Sequence, residues 1–73
     1  MAKEYLVVSF PQTRRVMING AFMGSTNRKL ELEGGLYNIT LDPPQGAAPE
    51  KQTVDLRHTS SLMPRTIEFT EDI

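Results

Sequence analysis

His58 is the one imidazole in the chain, and Asp55 stands three residues before it. The two have the side-chain types for general acid–base work or for one corner of a zinc site. Their spacing argues against a working pair. Residues an odd number apart on a strand project to opposite faces, so an exposed strand-end histidine is the expectation. Glu31 and Glu33 share one strand face and could attract a divalent cation, but two carboxylates fall short of the six to eight oxygens that calcium takes. A solvated face is the simpler reading. Gly20-x3-Gly24-Ser25-Thr26 has glycines in the manner of a phosphate loop. It lacks the Gly-Lys-Ser/Thr ending, and no helix is expected after it to lend an N-terminal dipole. Asn38-Ile39-Thr40 fits a glycosylation acceptor but falls within an expected strand, in a chain that shows no export signal. Ser9, Ser25, Ser60 and Ser61 have no context of a nucleophile elbow. The residues therefore predict no cofactor, no metal and no enzyme.

What must position these residues is a small β domain. Seventy-three residues make one domain, spanning 1–73. A chain of this size buries only about 60% of the surface that it exposes when unfolded. There is no cysteine, which excludes a disulfide staple and a thiolate zinc site. Stability has to come from one apolar core, from self-association or from a partner. Eight basic residues stand against nine acidic ones, a net charge of −1. The basic residues are scattered rather than banked, so nucleic acid is not an expected partner. The longest run of large apolar residues, Tyr5-Leu6-Val7-Val8, is far too short to span a bilayer. The first four residues do not begin an export signal. No membrane insertion is expected, and the chain as written reads as soluble and unexported.

The period of the apolar residues is two, not 3.6, and no helical stripe is sustained. Strands are expected over 4–10, 15–19, 21–23, 29–33, 36–42, 52–58 and 65–70. The first is apolar on both faces and should be covered on both. Leu30 and Leu32, then Tyr37, Ile39 and Leu41, then Val54 and Leu56, then Ile67 and Phe69 point inward. Pro11 ends the first strand because it cannot donate to a ladder. The proline-rich residues 42–49 form the longest loop, residues 59–64 a second, and residues 71–73 are expected to fray. The fold class is all-β, a small antiparallel β-sandwich of six to seven short strands.

Asn19-Gly20 lies between two apolar runs and predicts a hairpin with a type I′ turn, since these residues accept positive φ most readily. A second reversal is expected at Gly34-Gly35. The two-residue loop sets Ile18 opposite Ala21, Met17 opposite Phe22 and Val16 opposite Met23. Val16, Ile18, Ala21 and Met23 are then expected on the core face. Met17 and Phe22 point the other way, as a candidate interaction surface or a patch that another segment covers. Glycan binding has a weaker signal: there is no Trp, and most of Tyr5, Phe10, Phe22, Tyr37 and Phe69 are needed for the core.

The spacing Pro11-x4-Val16-x-Ile18-Asn19-Gly20-x3-Gly24-x-Thr26, followed by Leu30-x-Leu32, Gly35-x-Tyr37-x-Ile39-x-Leu41 and Val54-x-Leu56, resembles the PEGA domain family over roughly residues 9–56. Two departures stand out. The eponymous four residues read Pro11-Gln12-Thr13-Arg14, and Asn27 replaces the proline usual after Thr26. The resemblance implies a small β-sandwich of prokaryotic type, a non-catalytic structural or binding module often appended to larger proteins at the cell envelope. It brings no catalytic residue. The positions it implies are structural: Asn19 and Gly20 in the turn, Gly24 at a bend or bulge, Thr26 offering its hydroxyl to nearby backbone, and Gly35 at a reversal. A protein partner or a second copy would bind through an exposed strand edge or the Met17/Phe22 face. The alternative is a glycan- or envelope-binding module.

Overall fold

A computed structural model describes residues 3–43 and 45–72. The elements are β1 (Lys3–Ser9), β2 (Arg15–Ile18), β3 (Ala21–Ser25), β4 (Lys29–Glu33), β5 (Gly35–Asp42), β6 (Ala47–Ala48), β7 (Gln52–Leu56), β8 (Arg65–Glu68) and β9 (Thr70–Glu71). They form a three-stranded sheet in the order β4-β1-β8 and a four-stranded sheet in the order β3-β2-β5-β7. A two-stranded β6-β9 ladder is added. This is an all-β fold consistent with a small β-sandwich. Its pairs are antiparallel except β1 with β8, which run parallel.

The inward rows follow the period-two pattern. Leu6 and Val8 of β1, Val16 and Ile18 of β2, Ile39 and Leu41 of β5, Val54 and Leu56 of β7, and Ile67 with Phe69 are all buried. Leu30 and Leu32 join them from β4. Each such side chain, fully buried, contributes roughly 1.5–3 kcal/mol relative to exposure. β1 departs from expectation on its second face. Tyr5 and Val7 are half-buried, and only the Glu4-Leu6-Val8 face is fully covered.

The Asn19-Gly20 turn has the geometry that its residues predict, with φ of 51° and 84°. The register beyond it does not. Ile18 faces Ala21 and Met17 faces Phe22, but a bulge shifts the ladder so that Val16 faces Gly24. Met23 is the extra residue and is 45% exposed, and Ala21 is exposed at the turn end of an edge strand. The simple hairpin register predicted both on the core face, and neither lies there. The reason is steric. A Cβ on Gly24 would collide with Leu30 Cδ2, so Leu30 fills the space that a side chain at the inward position would take.

The expected reversal at Gly34-Gly35 is also different. β4 and β5 do not pair with each other; they lie in different sheets. Gly34 and Gly35 carry the chain across the sandwich, with Gly35 at φ +156°, a value side chains rarely adopt. A tight turn and a crossover demand the same permissive residues, so composition could not separate them. Residues 42–49, expected as an unstructured loop, contribute β6. It pairs with β9, of which Glu71 belongs to the segment expected to fray; Ile73 lies outside the described residues. β7 ends at Leu56, short of the expected residue 58, and His58 takes a left-handed φ of 57°.

Candidate functional site

The residues picked out by type do not converge into a reactive group. His58 is exposed beyond the end of β7, and Asp55 is engaged by Arg57 Nε at 2.8 Å. Glu31 faces solvent and lies 3.7 Å from Lys3 Nζ. Among the described residues, no group of three or more His, Cys, Asp or Glu side chains could hold a metal ion.

A different cluster ties the strand ends together. Thr26 is 2% exposed. Its hydroxyl donates to Gln12 O at 2.8 Å and accepts from Arg14 N–H at 2.9 Å, while its own N–H donates to Arg14 O at 2.9 Å. The segment between β1 and β2 is therefore held on one side chain. Asn27, at φ 65°, works from the next position: its N–H donates to Val8 O at 2.7 Å. Arg14 extends the cluster, with Nη1 donating to Pro43 O at 2.8 Å and Gln45 O at 2.5 Å, and its guanidinium 4.9 Å from the Phe10 ring centroid. This grip helps explain why the proline-rich segment is placed well enough for β6 to meet β9. Asn19 likewise sets the hairpin against β5, accepting from Asn38 N–H on Oδ1 at 2.9 Å and donating its own N–H to Asn38 O at 2.8 Å.

At another point of β1, the Glu4 carboxylate accepts from the Thr59 hydroxyl at 2.6 Å and the Thr59 N–H at 2.9 Å in a partly buried setting. Tyr5 N–H donates back to Thr59 Oγ1 at 2.7 Å. The Thr59 hydroxyl, and next its N–H, hold the Glu4 carboxyl below its ordinary range, with a smaller push from His58; partial burial works the other way. No sequence pattern marks this pair, because the two residues are 55 apart.

The outer face of the four-stranded sheet is the one that offers a surface. Phe22 is 60% exposed, and Met17 opposite it is half-buried. Thr40 lies opposite Met17 on the other side. Arg15 lies 5.9 Å from the Phe22 centroid, near the outer limit of a cation–π contact. It also approaches Asp42 at 3.9 Å, an exposed pair of little energetic weight. Asn38 and Thr53 form the next row and are hydrogen-bonded at 2.9 Å. From Thr40 the face runs into an open groove of about 660 Å³, lined also by Gln45, Gly46, Ala47, Glu50, Lys51 and Asp72. The hairpin spacing placed Met17 and Phe22 on this face. The groove was not legible, because it is built from the β5–β7 connection and the chain's last described residue.

The strand edges are protected by familiar means. β3 is bulged. β4 presents Lys29, Glu31 and Glu33 to solvent. Glu68 O of β8 accepts from Gln52 Nε2 at 2.7 Å.

No curated protein and no solved structure gives a significant match to the chain. The family model for the PEGA domain does match, over residues 3–62. That span covers the hairpin, the crossover at Gly34-Gly35 and the first seven strands, so the chain belongs to the PEGA domain family.

Proposed function

We propose that this PEGA domain is a non-catalytic interaction module that docks a protein partner on the outer face of its four-stranded sheet. The observation that carries the reading is the strip running from exposed Phe22 over Met17 and Thr40 into the adjoining groove. Phe22 supplies a large apolar anchor, and burying such a side chain contributes roughly 1.5–3 kcal/mol. Met17 supplies a soft, adaptable surface beside it. Glu50, Lys51 and Asp72 in the groove supply the polar and charged groups that give a contact its register. Docking by strand addition has less support, because the bulge on β3 and the charges on β4 oppose it. Glycan stacking also has less support. Tyr37 packs against the core with its hydroxyl donating to Glu33 O at 2.6 Å, and Tyr5 is half-buried beneath Lys29, whose Nζ lies 5.6 Å from the ring centroid.

The test compares the unaltered chain with Met17→Ser/Phe22→Ser. Both should give the same strand signal by circular dichroism. Affinity capture from an extract of the source cells, with the captured proteins identified by mass spectrometry, should lose its specific partner with the double variant. An unchanged captured set, together with an unchanged molecular mass by light scattering, would overturn the proposal.

A further inference from the structure

The most exposed of the large apolar side chains lie elsewhere. Leu62 is 93% exposed and Met63 75% exposed, in the connection between β7 and β8. They sit in a closed turn. Ser60 N–H donates to Met63 O at 3.1 Å, and Met63 N–H donates to Ser60 O at 3.0 Å. The Ser60 hydroxyl also accepts from Met63 N–H at 3.1 Å. Lys29 Nζ fastens the turn to β4, donating to Ser61 O at 3.0 Å and to Ser61 Oγ at 2.5 Å. Thr59, at its base, is pinned to Glu4 and Tyr5. The tip is thus a held projection whose foremost atoms are aliphatic.

The connection itself carries one sign of charge, with the Glu4 carboxylate bonded to Thr59 at its base. Residues 57–65 contain Arg57, His58 and Arg65 and no carboxylate, although the chain as a whole has a net charge of −1. Arg57 is paired with Asp55. Among the described residues, Arg65 and Lys29 have no carboxylate within ion-pair distance. An apolar tip fastened by Lys29 and followed two residues on by Arg65 complements a surface with an apolar interior and an anionic skin. The turn pairs the N–H and C=O groups of Ser60 and Met63 with each other, which reduces the backbone polarity it carries toward lipid.

We propose that the Leu62-Met63 tip is a peripheral contact for an anionic lipid bilayer. The two side chains enter the boundary of the acyl region, while Lys29 and Arg65 meet the headgroups. The contact is peripheral, and among the described residues no helix is long and apolar enough to cross a membrane. The periodicity of the sequence did not signal this contact, because two residues at a loop apex leave no amphipathic pattern. It rests on a surface other than the Phe22 face, so either proposal can fail without the other.

Vesicle sedimentation tests it. At about 1 mM lipid, the chain should sediment with vesicles of phosphatidylcholine and phosphatidylglycerol, and much less with phosphatidylcholine alone. Raising the salt should weaken binding, since exposed charges are screened. Leu62→Ser/Met63→Ser should weaken it at least about tenfold with no change in melting temperature, because both side chains are exposed. The chain has no tryptophan, so Leu62→Trp gives a single reporter whose emission should shift to the blue on the anionic vesicles. Equal sedimentation of the parent and the double serine variant would overturn the proposal. So would no sedimentation of the parent, or a fall in the parent's solution mass on the same substitution without lipid, which would assign the tip to a protein contact.

Discussion

The Asn27 carboxamide pairs with the Phe10 peptide as a neighbouring strand would: Nδ2 donates to Phe10 O at 2.8 Å, and Oδ1 accepts from Phe10 N–H at 3.1 Å. Phe10 is buried just past the end of β1, where no strand is available to satisfy its backbone. The side chain does what a ladder would have done. The residue that departs from the family pattern has thus taken up a structural task at a left-handed φ of 65°.

Asn27→Pro, which restores the residue usual in the family, should therefore destabilise this chain by about 3 kcal/mol or more. Proline cannot adopt positive φ, and it removes the N–H that Val8 O receives. Asn27→Ala should cost about 1–3 kcal/mol through the unpaired Phe10 groups. Urea unfolding at constant m-value measures both, and a proline variant of undiminished stability would refute the account.

Thr26→Val keeps the shape and removes the hydroxyl shared by Gln12 O and Arg14 N–H. Leaving those groups unpaired should lower stability by about 1–3 kcal/mol. Thr26→Ser should recover most of it. Hydrogen exchange at the Arg14 amide should speed up in the valine variant and stay slow in the serine one.

Gly24→Ala should destabilise by about 1–3 kcal/mol, the usual cost of overpacking, because the new methyl group meets Leu30 Cδ2. Combining it with Leu30→Ala should cost less than the sum of the two single changes. Strict additivity in that double-mutant cycle would show that the two positions are not coupled.

Glu4 gives the pH dependence a direction. Its folded pKa is depressed, chiefly by the Thr59 hydroxyl and then by the Thr59 N–H. The carboxylate's stabilisation is thus fully present above the unfolded glutamate pKa of about 4.3. It is lost as the pH falls through the lower folded value. Thermal melting across acid pH should show a loss of stability in the parent that is smaller in Glu4→Gln. Thr59→Val should raise the Glu4 pKa measured by NMR titration, and an unmoved titration would sink the assignment.

Much of the architecture was written in local pattern. Alternation identified the inward residues of β2, β4, β5, β7 and β8, because a pleated strand sends every second side chain to the same side. Asn19-Gly20 declared its turn, because few dipeptides tolerate two successive positive φ values. Those are properties of neighbouring residues, and the chain alone determines them. Other matters were settled only by separate parts of the chain meeting. Gly34-Gly35 became a crossover because β4 found its partner in β1 and β5 found its partner in β2. Gly24 displaced Met23 from the inward row because Leu30 needed the room. The groove beside Thr40, the Glu4–Thr59 bond and the placement of the Leu62-Met63 tip all depend on contacts across many residues of chain. A short sequence window holds the preference of each residue for a face or a turn. It does not hold the identity of the strand that will lie beside it, which is chosen by competition among all the buried surfaces at once.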